Sequence, residues 1–145
     1  MINVIKTVLL LSYCVFLVGC ATTNPSIERK NYFPWENETG YAQVVKHNNT
    51  LYLSGMTSEK ATFENQVDDI YTNIKNILTD YNVGTDAIVK EVIFTTDIEK
   101  LKSAIPTRKA HFDGQYPSST WVEVTRLWSE SHFLEVELVV ALPSI

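Results

Sequence analysis

Apolar and polar positions alternate most regularly near the C-terminus. Over residues 133–142, Leu134, Val136, Leu138, Val140 and Leu142 share one face of an extended chain, and Phe133, Glu135, Glu137, Val139 and Ala141 share the other. That period of two predicts a strand. The run Trp121-Val122-Glu123-Val124-Thr125-Arg126-Leu127 precedes it across a short polar break. Two such runs predict a terminal hairpin. A strand this apolar on both sides belongs in the middle of a sheet or at a subunit contact. Glu135 and Glu137 are then expected to point toward a shared surface.

Upstream the period changes. Phe63, Val67, Ile70, Ile74, Ile77, Leu78 and Tyr81 recur at three- and four-residue spacing, which predicts a core helix over 62–81. Thr57 or Ser58 is the expected cap, and Gly84 the expected stop. Before the helix, strands are expected over 40–46 and 50–54, joined at His47-Asn48-Asn49, where asparagine tolerates left-handed backbone angles. After it comes a strand over 87–95. Asp97 is placed to cap a second helical segment through Leu101, Ala104, Lys109 and Phe112, ended by Gly114. Pro106 either opens a helix that starts late or kinks the segment. The order strand, strand, helix, strand, helix, strand, strand predicts an α+β layer, with two helices on one face of a mixed sheet. No third helix remains for the opposite face, so oligomerisation through that face is expected.

The N-terminus reads as an address rather than as part of the fold. Lys6 precedes an apolar stretch over 8–18, shorter than the roughly 20 residues a spanning helix needs. It ends in Leu17-Val18-Gly19-Cys20, which resembles the lipobox of bacterial lipoproteins. The resemblance implies a signal peptide over 1–19, lipid on the Cys20 thiol, and acylation of the new N-terminus. Several acyl chains give stable anchoring where one binds only marginally. An uncleaved anchor and an ordinary secretory signal are the alternatives. The expected location is the bacterial cell envelope. With Ala21 after the cysteine, a Gram-negative host would sort the chain to the outer membrane, facing the periplasm. Residues 20–38 are expected to form a lipidated tether, with Tyr32, Phe33 and Trp35 packing on the edge of a domain over 39–145. Cys14 leaves with the signal and Cys20 carries lipid, so no disulfide is expected.

Composition narrows the function classes. The net charge of −5 supplies no basic stripe for a nucleic-acid backbone, so no nucleic-acid partner is expected. His47, His111 and His132 lack metal-ligand spacing, and each is expected to be a surface or packed residue. There is no phosphate loop, dinucleotide fingerprint or nucleophile elbow, and neither cofactor nor metal is expected.

Six segments, in order, resemble the reactive-intermediate deaminase (RidA, or YjgF-type) family. They are Gly40-Tyr41-Ala42-Gln43-Val44-Val45; Leu51-Tyr52-Leu53-Ser54-Gly55; Phe63 with Gln66 and Asn73-Ile74 with Ile77-Leu78; Ile88 to Phe94 with Asp97; Pro117, Thr120 and Val122-Glu123-Val124 with Leu127; and Glu135-Val136-Glu137. The resemblance implies a chorismate-mutase-like fold and a homotrimer with pockets between subunits. Active members are hydrolases that convert imines and enamines of amino acids to ammonia and a 2-keto acid. Carried over by position, Glu135 is the candidate catalytic residue that positions water. Tyr41, Ser54, Gly55, Ser119 and Thr120 are the candidate substrate-binding residues.

Two positions depart from the family pattern. Ser119 stands where the family has an arginine that grips the substrate carboxylate, and Ile105 where an asparagine is common. Losing a charge-assisted hydrogen bond costs on the order of ten- to a hundredfold in binding. Arg126 and Arg108 are the candidates to replace the charge. Three readings follow: a membrane-anchored domain that binds a small molecule in an inter-subunit pocket, an active imine or enamine deaminase with altered substrate, and a non-catalytic interaction module. Reactive enamines arise in the cytoplasm, which counts against the standard role for an exported chain. Glu123 and Glu137 are expected to be solvated or inter-subunit charges, and Trp121 and Trp128 interface or core aromatics.

Overall fold

A computed structural model describes residues 26–144. The expected signal peptide and Cys20 lie outside them. A mixed six-stranded sheet is formed by β1 (Ile27–Lys30), β2 (Val44–His47), β3 (Thr50–Met56), β4 (Ile88–Thr95), β5 (Ser118–Glu123) and β6 (Leu134–Ala141), in the order β1-β2-β3-β6-β4-β5. Four helices accompany it: α1 (Pro34–Thr39), α2 (Phe63–Thr79), α3 (Ile98–Ser103) and α4 (Ile105–Lys109). The α+β class follows the sequence pattern.

The core lies between α2 and the sheet. Val67, Ile70, Ile74 and Leu78 of α2 are fully buried, as are Leu51, Ile93, Leu134, Val136 and Val140 on the strands. Each such side chain contributes about 1.5–3 kcal/mol by leaving water. On β6 the alternation is as expected, with Leu134, Val136, Leu138 and Val140 inward and Glu137 and Ala141 exposed on the other face. That face also carries Tyr52 at 47% and Val122 at 38% exposure.

The terminal hairpin does not form. β4 lies between β5 and β6, paired antiparallel with β6 and parallel with β5. The loop after β5 is held to the end of β4 by Val124 N–H donating to the Thr95 carbonyl at 2.8 Å and by Thr96 N–H donating to the Phe133 carbonyl at 3.0 Å. Alternation tells each strand which way its side chains point, but not which edge it takes. β5 also begins earlier than expected, which brings Ser118, Ser119 and Thr120 into the sheet.

The helix ends are also decided by other residues. Thr62 caps α2, its hydroxyl accepting from the Asn65 N–H. The left-handed residue beyond α2 is Asn82, at φ 56°, not Gly84. Asp97 caps α3 as expected, its Oδ1 accepting from the Lys100 N–H at 2.9 Å. Pro106 falls in the first turn of α4, where its missing N–H costs nothing. Glu123 accepts from the Ile98 N–H at 2.8 Å, at the start of α3. Within the expected tether, β1 pairs with β2. Lys30 and Tyr32 both reach Asp80 beyond α2, at 2.5 and 2.9 Å.

Candidate functional site

The site begins with an irregularity in β3. Leu53 pairs with Leu138 and Met56 with Val136, one more residue on β3 than on β6. Such a bulge re-aims the local side chains. Neighbouring groups hold it in place. The Ser54 hydroxyl donates to the Ala42 carbonyl at 2.8 Å, and the Gln43 side-chain amide donates to the Ser54 carbonyl at 2.8 Å. Ser54 thus uses its hydroxyl to close the bulge.

Gly55 comes next, and its missing side chain leaves room for Glu135. A Cβ placed on Gly55 would fall 1.8 Å from Glu135 Oε1, so the carboxylate lies directly across the glycine. Glu135 is only partly exposed and, among the described residues, has no hydrogen-bond or ion-pair partner. Burial, and then the charge of Glu137, push its pKa above the usual carboxylate value, while His132 acts weakly the other way. The Tyr41 hydroxyl is pushed up by burial, then by Glu36 and Glu135.

Tyr41 and Gly55 line a cleft of about 1050 Å³. Its aromatic wall is built by α1. Phe33 and Trp35 stack with centroids 5.9 Å apart, and Trp35 meets Tyr41 edge-on at 5.7 Å. Trp128 contributes from the loop after β5, at 83% exposure. The polar wall contains Glu59, Lys60, Asp69 and His132. Glu59 holds Ser131 Oγ at 2.6 Å and His132 Nε2 at 2.7 Å, and these two hydrogen bonds keep its pKa low. Asp69 accepts from Ser58 Oγ at 2.6 Å and lies 3.9 Å from Lys60 Nζ.

Ser119 and Thr120 lie elsewhere. Ser119 pairs with Glu91 on β4, and Glu91 with Leu138 on β6. At about 4.8 Å per strand, β5 is roughly 10 Å from β6. The Ser119 side chain faces the helices, where its hydroxyl donates to Glu91 Oε1 at 2.6 Å. Glu91 is fully buried. It also accepts from Arg108 Nη2 at 2.7 Å and from the Tyr71 hydroxyl. Burial, and then the Glu91 charge, hold Tyr71 protonated well above its ordinary pKa. Trp121 Nε1 donates to Ser119 Oγ at 2.6 Å, and the Arg108 guanidinium lies over the rings of Phe112 at 4.8 Å and Trp121 at 5.7 Å. Arg108 is therefore paired inside the fold. Arg126 is exposed beyond β5. Thr120 Oγ1 accepts from Lys90 Nζ at 2.9 Å.

One chain thus brings Tyr41, Gly55 and Glu135 together, sets Ser54 behind them, and keeps Ser119 and Thr120 apart. Sequence reasoning missed the parts played by Phe33, Trp35, Glu59, Asp69, Trp128 and His132. The aromatic run at 32–35 is expected on sequence to pack on the domain edge, and the structure adds that Phe33 and Trp35 wall the cleft there. Among the described residues no cluster of side chains has metal-binding geometry, and no helix is long and apolar enough to cross a membrane.

Comparison with known proteins adds lineage to this geometry. A family model described as endoribonuclease L-PSP matches residues 35–142. A RutC family protein from the leuC 5′ region of Leuconostoc mesenteroides subsp. cremoris is 31% identical over 110 residues, 68% of this chain and 84% of that protein. The mitochondrial protein MMF1 of Saccharomyces cerevisiae is 28% identical over 94 residues, 60% of this chain and 65% of the yeast protein. The chain thus spans slightly less than two thirds of that relative. Among solved structures, Rv2704 of Mycobacterium tuberculosis, a member of the YjgF/YER057c/UK114 family, aligns with a TM-score of 0.75 at 21% identity, over 81% of this chain and all of that one. NMB1025 of Neisseria meningitidis, a YjgF family member, aligns at 0.72 and 21% identity, over 83% and 98%.

Proposed function

The chain belongs to the endoribonuclease L-PSP (YjgF/RidA) family, and from that premise we propose that it binds a small molecule in a pocket between subunits of a homotrimer without deaminating it. One observation carries this reading. The residue at the family's arginine position, Ser119, and the nearest guanidinium, Arg108, are both bonded to buried Glu91. Neither is left to grip a substrate carboxylate. The half of the pocket at Tyr41 and Gly55, with Glu135 against Gly55, still opens on a cleft large enough for a ligand. The separation of Ser119 from Glu135 within one chain supports a site completed by a neighbouring subunit. The family's descriptive name refers to ribonuclease activity. A cleft lined by Glu59 and Asp69, on a chain of net charge −5, offers no electrostatic footprint for RNA.

A second reading, an active imine or enamine deaminase with altered substrate, is favoured by Glu135 itself. A half-buried carboxyl whose pKa is raised takes up a proton more readily than an exposed one, as a general base must. Ammonia release from freshly generated amino-acid imines decides between them, with the full chain in a non-ionic detergent. The binding reading expects release at the uncatalysed rate. Turnover that disappears in Glu135→Ala would establish the deaminase instead.

The lipobox supports anchoring to the cell envelope through lipid on Cys20. The mature chain is expected to carry acyl mass on its first residue and to partition into detergent. Cys20→Ser is expected to leave the chain unlipidated and in the aqueous phase. An unmodified Cys20 in the mature chain would remove the anchor.

A further inference from the structure

A pocket without a free guanidinium selects its ligand by its remaining walls. Three of its aromatics are exposed far beyond what a core would allow, Phe33 at 52%, Trp35 at 48% and Trp128 at 83%. Phe33 and Trp35 stack, and Trp35 meets Tyr41 edge-on, so these rings form a wall around the cleft rather than scattered surface residues. Ring faces attract cations through their quadrupole, and tryptophan does so most strongly.

The charges around the same space point the same way. Lys60 stands beside Asp69, and His132 is bonded to Glu59. Glu135 lies against Gly55 of the cleft wall and close enough to Tyr41 to raise its pKa, and it has no partner of either kind among the described residues. Its raised pKa has the same origin, a carboxyl that is partly buried and beside the like charge of Glu137. A ligand carboxylate would meet Glu135 and Glu59, and the one lysine of the lining, Lys60, already faces Asp69 at 3.9 Å. A ligand cation would supply the partner that Glu135 lacks, and the aromatic wall would take its apolar body.

We propose that the cleft walled by Phe33, Trp35, Tyr41 and Trp128 and bordered by Glu135 binds an organic cation, an ammonium group on an aromatic or apolar body. This rests on the reading of the cleft as a ligand pocket, and it reverses the charge of the ligand that the family's arginine would select.

Calorimetric titration of the full chain in a non-ionic detergent tests it with three probes of similar size: benzyltrimethylammonium, benzyl alcohol and phenylacetate. The expected result is saturable binding of benzyltrimethylammonium, at least tenfold tighter than either other probe. Trp35→Leu and Glu135→Gln are each expected to weaken it at least threefold. Trp35 is half exposed, so thermal melting of Trp35→Leu should confirm an intact fold. If phenylacetate or benzyl alcohol binds as well as the cation, and Trp35→Leu weakens that binding, the charge inference fails while the pocket survives. If no probe binds, or if binding ignores both substitutions, the inference and the pocket reading fail together.

Discussion

Gly55 is the residue on which the site geometry turns. Its hydrogen occupies space that any side chain would contest, because Glu135 Oε1 lies 1.8 Å from where a Cβ would be. Gly55→Ala is therefore expected to push the Glu135 carboxylate away from the Gly55 backbone and to put a methyl group at the cleft wall. Ligand affinity should fall at least tenfold with little change in melting temperature. Glu135 also gives a pH signature. Its folded pKa is raised, so the folded state holds the proton more tightly than the unfolded chain. The stability this contributes is present below the ordinary carboxylate pKa and is lost as pH rises through the folded value. Glu135→Gln is expected to melt higher than the natural chain at pH 7 and to match it near pH 3.5. Equal melting at both values would show that the carboxyl is not strained by its site. Glu91 and Arg108 behave oppositely. They are 0% and 5% exposed, and removing one leaves the other buried and unpaired. Glu91→Ala is expected to cost about 3–5 kcal/mol in urea unfolding, while Glu91→Met with Arg108→Met costs little.

At the scale of elements, α2 is the support for the sheet. Ile74 is fully buried in the middle of it, so Ile74→Ala is expected to cost about 2–5 kcal/mol by denaturant unfolding. Thr62→Ala removes the cap on the Asn65 N–H and should cost about 1 kcal/mol. The strands show how far local pattern reaches. The inward and outward residues of β6 follow from alternation alone, because successive side chains point to opposite faces. Its neighbours do not. The Trp121–Leu127 run was expected to pair with β6, yet β5 lies parallel to β4 instead. Both strands find an edge on β4, and that choice depends on the whole sheet. The site was legible to the same extent. Tyr41 and Gly55 line one cleft and Glu135 lies against Gly55. The commitment of Ser119 to Glu91 was not visible, since those residues are far apart in sequence and their partner Arg108 comes from a third element.

At the scale of the whole molecule, one sheet face is covered by helices and the other presents Tyr52, Val122 and Glu137 to solvent. Stable association through that face would bury it. Sedimentation of the full chain in non-ionic detergent is expected to give a trimer, and Tyr52→Glu to shift it toward monomer. A natural chain that stays monomeric at micromolar concentration would remove the shared pocket.

Local sequence settles what is set within a few residues. It determined which face of α2 and of β6 is apolar, the left-handed turn at Asn48, the Asp97 cap, and the membership shown by motifs that recur in order. These follow from backbone geometry and side-chain direction, which neighbouring residues settle among themselves. Tertiary structure alone decided that β4 separates β5 from β6, that Glu91 takes both Ser119 and Arg108, and that α1 lays Trp35 against Tyr41. Each of these joins segments distant in the chain. A strand edge must be shared out among competing partners, a buried charge must find its counter-charge wherever the fold brings one, and an exposed aromatic must find a surface. Those choices are made by the packed molecule as a whole.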